Sequence, residues 1–136
     1  MKNHATAVWR GNGSKGAGTM LTRSKVLNNV PFSYSTRIEE GRGTNPEEMI
    51  AGAHAGCFSM KLAFVLEAAG YAAKELNVDC EITFEAGKIT SSHLILKASI
   101  PHIQKEEFNE LVIDAKENCP ISLLLNTTMT IEAELV

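Results

Sequence analysis

The stretch TNPEEMIAGAHAGCFSMKLAFVLEAAG, residues 44–70, decides the fold of this 136-residue chain. Asn45 can cap a helix, Pro46 suits its first position, and the two acids that follow oppose the positive end of the helix dipole. The apolar and small residues from Met49 to Ala69 then predict one long helix that ends at Gly70. Because this helix is apolar nearly all round, we expect it to be central and wrapped by other elements. Six short strands cannot cover it well, so we expect a partner subunit to cover part of it.

Apolar and polar residues alternate on both sides of this helix, which predicts strands. In chain order, the predicted elements are strands at 5–10, 19–26 and 32–38, the long helix, strands at 78–85 and 94–100, a helix through 108–115 that Pro120 stops, and a strand at 129–135. The resulting order, βββ-α-ββ-α-β, is an α+β fold, and the length suits a single domain over residues 1–136.

Composition indicates an ordinary globular protein. Apolar residues make up 44% of the chain and charged residues 21%, which argues against disorder. The net charge of −3 gives no basic surface for nucleic acid. No apolar run reaches the ~20 residues of a membrane span, and the N-terminus does not resemble a signal peptide. Three cysteines do not suit a secreted disulfide framework, so we expect a cytoplasmic protein without nucleic-acid or membrane partners.

Two sequence patterns match a cofactor motif or a metal motif in residue type but not in structural context. Gly11, Gly13 and Gly16 match the dinucleotide fingerprint, but that fingerprint must open a helix, whereas a strand follows here, so we expect a hairpin loop and no cofactor. His54 and Cys57 share a helix face, yet two ligands do not make a zinc site, and no metal is expected. The same pair leaves open a cysteine hydrolase that uses His54.

The three cysteines differ in their surroundings. Cys80 lies on the apolar face of its strand, where we expect it to act as a small hydrophobic residue. Cys57 lies among small residues that leave space around its sulfur. Cys119 continues the apolar stripe of the second helix and stands at its end, next to Pro120. The pattern alone leaves open whether Cys57 and Cys119 are reactive or are buried core residues.

Three motifs then point to one family. They are Gly43-Thr44-Asn45-Pro46-Glu47-Glu48, Ala53-His54-Ala55-Gly56-Cys57-Phe58-Ser59-Met60 and Asn118-Cys119-Pro120-Ile121-Ser122, supported by Ala7-x-Trp9-x-Gly11 and Thr36-Arg37-Ile38-Glu39. In this order they resemble the OsmC/Ohr family, the osmotically induced and organic-hydroperoxide-resistance proteins. The His-Ala-Gly-Cys-Phe-Ser form resembles the OsmC branch.

The resemblance implies a cofactor-free thiol peroxidase that reduces organic and inorganic hydroperoxides. It implies that Cys57 is the peroxidatic cysteine, that Cys119 resolves it, that Arg37 holds the thiolate and that Glu47 pairs with Arg37. It also implies an intertwined homodimer whose sheets wrap around central helices, and an external thiol reductant, a dithiol such as a lipoyl-type thiol. Lys61 departs from the family pattern, which commonly has a small apolar residue there. A non-catalytic redox-sensing or ligand-binding member of the fold is the alternative.

Physical chemistry is consistent with these roles. A free thiol has a pKa near 8.5, so a nearby arginine is needed to favour the reactive thiolate, and a carboxylate can fix the arginine's fork. One distance limits the scheme, because ten residues of straight helix separate Glu47 from Cys57 by about 15 Å. Either the helix breaks near Gly52, or a second subunit supplies the neighbour of Cys57.

Overall fold

The computed structural model describes residues 1–38 and 41–136. Glu39, the last residue of the arginine motif, lies outside the described residues. The chain forms two compact units, Met1–Met49 and Ile50–Val136.

The elements form an α+β fold. In chain order they are β1 (Ala5–Arg10), β2 (Ala17–Thr22), β3 (Val30–Ser33), α1 (Ser35–Ile38), α2 (Pro46–Ala68), β4 (Glu75–Glu85), β5 (Lys88–Ser99), α3 (Lys105–Asn118), α4 (Pro120–Leu124) and β6 (Thr128–Leu135). The predicted order of strands and long helices is confirmed, and the short helices α1 and α4 are additional.

The first unit holds an antiparallel sheet in the order β1-β2-β3. Its glycine-rich stretch joins β1 to β2, with Gly11 at a φ of +97°, so it is the expected hairpin loop. The third strand ends at Ser33, and the prediction of a strand up to Ile38 was wrong. Ser33 and Thr36 exchange hydrogen bonds between each backbone N–H and the other's hydroxyl, which caps a helical turn at this point.

Both ends of α2 have the capping residues that the sequence predicted. The Asn45 side chain accepts a hydrogen bond from the Glu48 backbone N–H at 2.8 Å, and Pro46 is the first helical residue. At the other end Gly70 has a φ of +89°, its N–H bonds to Glu67, and the next N–H, of Tyr71, bonds to the Leu66 carbonyl. The helix runs without interruption between these caps, so the expected alternative of a break near Gly52 was wrong.

The second unit holds a sheet in the order β4-β5-β6, in which β5 pairs antiparallel with β4 and parallel with β6. Its core contains residues of α2, of β5 and the residue that follows it, of α3 and of the α3–α4 junction. They are Phe58, Leu62, Leu66, Leu94, Leu96, Ala98, Ile100, Phe108, Val112, Ala115 and Cys119. The alternation of β5 brings its apolar face onto this core, as predicted.

Helix α2 covers this core with one face only. Its fully buried residues are spaced by four, at His54, Phe58, Leu62 and Leu66. Met60 and Phe64, on another face, are 65% and 64% exposed. The described elements of the chain therefore leave part of the helix uncovered, in line with the expectation that its short strands cannot cover it. By length and composition alone, α2 is also apolar enough to cross a membrane, so the sequence criterion used above does not exclude contact with lipid.

Candidate active site

Cys57 and Cys119, the two cysteines of the family motifs, lie against each other in the second unit. Cys57 packs against the core cluster that contains Cys119, and its thiol interacts with the Cys119 side chain and with the backbone N–H of Ile121. Both residues are free thiols; Cys57 is half-buried and Cys119 fully buried. A partly exposed sulfur beside a buried one is the arrangement that a peroxidatic and a resolving cysteine require.

The turn between α3 and α4 positions Cys119. α3 ends at Asn118, and Cys119 is extended, with a φ of −63° and a ψ of 129°, as the residue before a proline prefers. Its N–H still bonds to Ala115, and its carbonyl accepts from Leu123 as α4 begins at Pro120. The predicted stop at Pro120 is confirmed, and it leaves the Cys119 thiol at a junction between two helices.

The surroundings of Cys57 within the chain disfavour its ionised form. Burial is the main cause that raises the pKa of the Cys57 thiol, and the hydrogen bond with Cys119 raises it further. The Ile121 N–H acts in the opposite direction, because it donates to the sulfur and stabilises the thiolate. These effects together raise the pKa of Cys57 above its ordinary value, and a nearby positive charge would act in the opposite direction.

A buried polar network lies beside the cysteines, and we define it as His54, Ser92 and Ser122. His54 Nδ1 is 2.6 Å from the Ser92 hydroxyl, and Nε2 is 2.8 Å from the Ser122 hydroxyl. Cys80 borders the network, with its sulfur 3.3 Å from the Ser92 hydroxyl. Cys80 is half-buried and packs against the core, as expected for a small hydrophobic residue.

The network decides against the hydrolase interpretation of His54. Burial lowers the pKa of the His54 imidazole, which keeps the ring neutral with one donor and one acceptor nitrogen. Both nitrogens are occupied by serine hydroxyls, so the ring has no nitrogen left to activate Cys57. The sequence analysis missed Ser92 and Ser122, although Ser92 continues the buried face of Leu94 and Leu96 at a spacing of two.

The other predicted pair lies in the first unit. Arg37, in α1, donates from Nε to Oε2 of Glu47, in the first turn of α2, at 3.1 Å. The Arg37 side chain is 30% exposed and that of Glu47 is 13% exposed. The two helices are joined by further bonds, since Thr36 Oγ1 donates to the Thr44 carbonyl at 2.7 Å and Asn45 Nδ2 to the Thr36 carbonyl at 2.9 Å. The guanidinium is therefore held in a defined position.

Arg37 also borders a small aromatic cavity of about 100 Å³ in this unit. Trp9 and Phe32 form part of its wall, with ring centroids 5.4 Å apart, and Tyr34 and Pro46 add further apolar surface. A cation beside a cavity of this kind can bind a molecule that has a polar group at one end and an apolar group at the other.

Lys61, the residue that departs from the family pattern, is half-buried in α2 and borders a cavity with Phe64 and Asp114. Within residues 1–38 and 41–136, no group of three or more His, Cys, Asp or Glu side chains is arranged to hold a metal ion.

Comparison with known proteins identifies the same family along most of the chain. The family model described as OsmC-like protein matches residues 39–134. Peroxiredoxin OsmC of Escherichia coli (strain K12) is 37% identical over 133 residues, which cover 95% of this chain and 93% of that protein.

Solved structures share the fold. The chain is similar to the OsmC-like protein from Mycoplasma pneumoniae, with a TM-score of 0.75 and 15% identity over 100% of this chain and 98% of that one. It is also similar to the organic hydroperoxide resistance protein OhrB of Bacillus subtilis, with a TM-score of 0.67 and 21% identity over 98% of both chains. At these identities the two structures support the fold alone.

Proposed function

Because the chain belongs to the OsmC-like family, we propose that its peroxidase chemistry is carried by Cys57 and Cys119. The chain is a cysteine-based peroxidase that reduces hydroperoxides at the expense of an external thiol. The observation that carries the residue assignment is the contact between a half-buried free thiol and a fully buried one. We treat both units as one OsmC-like domain, since the family match includes residues of each.

The proposed cycle has three steps. The Cys57 thiolate attacks one oxygen of the hydroperoxide and the O–O bond breaks. With one proton taken from solvent, Cys57 becomes a sulfenic acid and the other oxygen leaves as an alcohol. The Cys119 sulfur then attacks the Cys57 sulfur, the S–O bond breaks, and a disulfide and water form. An external dithiol, in our proposal of lipoyl type, reduces the disulfide by thiol exchange. No cofactor enters any step.

Arg37 supplies the positive charge that favours the Cys57 thiolate, and Glu47 orients Arg37. Arginine beside a thiolate lowers the thiol pKa, and the ion pair with Glu47 orients the guanidinium. Since α2 is unbroken, Glu47 and Cys57 of one chain are separated by about 15 Å along the helix axis. We therefore assign the Arg37 that serves each Cys57 to the partner subunit of a homodimer.

The uncovered face of α2, which we call the α2 face, supports this dimer. It consists mainly of small and apolar residues at helical spacing and also includes the exposed Glu67. The small and apolar residues are Ala53, Gly56, Met60, Ala63, Phe64 and Ala68. Small residues allow two helices to approach closely, and the large side chains of Met60 and Phe64 provide apolar area to bury. We propose that a second copy of this chain covers the α2 face. The protein then lies in the cytoplasm and not on a lipid surface.

The aromatic cavity beside Arg37 accounts for organic substrates. Its apolar wall suits the carbon end of an alkyl or aryl hydroperoxide, while Arg37 attracts the polar peroxide end. Hydrogen peroxide has no carbon group to place there, so we propose that organic hydroperoxides are the preferred substrates.

Peroxide consumption with dithiothreitol tests the assignment of Cys57. Cys57→Ser removes the nucleophile, so consumption should fall to the uncatalysed rate. The control is Cys80→Ser, which changes a thiol of the same unit that packs against the core and should leave activity nearly unchanged. Full activity of Cys57→Ser would overturn the proposal.

A further inference from the structure

We propose that His54 is a positioning residue for the resolving step: its hydrogen bond to Ser122 holds the start of α4, and with it Cys119, against Cys57. The proposal rests on the roles assigned above to Cys57 and Cys119. It assigns a task to the buried network, which the peroxidase cycle itself does not use.

The placement of His54 on the two motifs supports this role. His54 is three residues before Cys57 on α2, so it lies one turn away on the same rigid helix. Ser122 is three residues after Cys119, in α4. One imidazole therefore connects the helix that carries the peroxidatic sulfur to the segment that carries the resolving sulfur, through a single bond of 2.8 Å.

The second nitrogen of the ring has its own partner, outside the segment that carries Cys119. The opposite nitrogen of His54 is bonded to Ser92, in the central strand of the β4-β5-β6 sheet, at 2.6 Å. A serine hydroxyl can donate or accept, so the two serines satisfy both nitrogens of a neutral ring in either tautomer. His54 and Ser92 are fully buried, and Ser122 is 4% exposed, so water does not compete for these bonds.

The Ser122 bond has two effects at the sulfur of Cys57. It keeps the Ile121 N–H directed at that sulfur, and it keeps the Cys119 thiol in contact with it. Once Cys57 is a sulfenic acid, two reactions compete for it. Cys119 attacks its sulfur and releases water, or a second hydroperoxide oxidises it to the sulfinic acid and leaves as an alcohol. A held Cys119 favours the first reaction because the two sulfurs are already adjacent.

Two serine variants separate positioning from stability. Ser122→Ala removes the bond to the α4 segment, and Ser92→Ala removes the bond to the sheet, and each leaves one buried His54 nitrogen without its partner. The readout is the ratio of Cys57–Cys119 disulfide to Cys57 sulfinic acid, measured by mass spectrometry after treatment with excess cumene hydroperoxide. The ratio is measured on protein that gel filtration shows to be folded, because unfolded chains are oxidised as well. We expect it to fall about five- to tenfold in Ser122→Ala, the factor typical of one lost hydrogen bond, and to stay near wild type in Ser92→Ala.

Two variants of His54 provide a second test if Ser122→Ala does not fold. The amide of glutamine occupies the place of Nε2, and that of asparagine the place of Nδ1. His54→Gln can therefore keep the bond to Ser122 and retain the wild-type ratio, whereas His54→Asn loses that bond and should shift the ratio as Ser122→Ala does.

The outcomes are distinct. Equal ratios in Ser122→Ala and Ser92→Ala, or in His54→Gln and His54→Asn, would overturn the positioning role while the peroxidase assignment stands. If the wild-type protein consumes peroxide without forming a Cys57–Cys119 disulfide, the assignment of Cys119 is wrong, and the positioning role is overturned with it.

Discussion

Phe64→Asp should convert the proposed dimer into a monomer. Phe64 lies on the α2 face and is 64% exposed in the single chain. A phenylalanine side chain has roughly 200 Å² of surface, so about 130 Å² is available for burial, which at about 25 cal/mol/Å² contributes about 3 kcal/mol. A symmetric interface buries the residue twice, so its loss costs about 6 kcal/mol, which raises the dissociation constant about 10⁴-fold. The aspartate also places a charge in an apolar contact.

Sedimentation equilibrium measures this effect. The wild-type protein should have about twice the chain mass of 14.8 kDa at micromolar concentration, and Phe64→Asp should have the mass of one chain. Ile113→Asp is the matched control, because it changes an apolar residue that is 51% exposed on α3, outside the α2 face. A monomeric wild-type protein, or a Phe64→Asp variant as dimeric as the control, would refute the assignment. Flotation of the wild-type protein with lipid vesicles would assign the α2 face to a membrane instead.

Three further predictions concern the site. Arg37→Ala homodimers should be strongly impaired and Cys57→Ser homodimers inactive, but heterodimers purified from co-expressed chains should regain activity, because one of the two shared sites then has Arg37 and Cys57 intact; no activity in the purified heterodimer would place both residues in one subunit. Cys119→Ala should lower the pKa of Cys57, since it removes the hydrogen bond that adds to the effect of burial, and the pH midpoint of Cys57 alkylation by iodoacetamide should fall; an unchanged or higher midpoint contradicts this. Burial lowers the pKa of His54 below its ordinary value of 6.5, so as pH falls the unfolded chain protonates its His54 before the folded chain does. The free energy of unfolding therefore decreases as pH falls below 6.5, by up to about 1.4 kcal/mol per pH unit. In urea unfolding at pH 7.5 and 5.5, His54→Gln should show a smaller loss than wild type, and equal losses would contradict the buried neutral ring.

The features that sequence predicted correctly depend on short-range rules. Asn45 caps α2 and Pro120 ends α3 because each acts on backbone groups within a few residues. The β3–α1 boundary was missed because the hydroxyls of Ser33 and Thr36 compete with strand pairing for the same backbone groups.

The features that sequence did not predict depend on contacts between distant segments. The two serines of the network are 38 and 68 residues from His54 along the chain. Nothing in the local pattern of either serine indicates that it meets a histidine. For α2, the sequence predicted that the chain could not cover the whole helix. It did not predict which face stays uncovered, because uniform apolarity does not distinguish the faces.

The raised pKa of Cys57 connects assembly to activity. Within the chain, burial and the Cys119 hydrogen bond outweigh the Ile121 N–H, so the Cys57 thiol is a poor nucleophile at neutral pH. If the partner subunit's Arg37 supplies the missing charge, only the dimer has a reactive thiolate. Phe64→Asp should then lose most of its peroxidase activity along with dimerisation, although Phe64 has no role in the chemistry. On dilution of the wild-type protein, specific activity should follow the fraction of dimer measured by sedimentation. A monomeric Phe64→Asp variant with wild-type kcat/KM would show that each chain contains a complete active site.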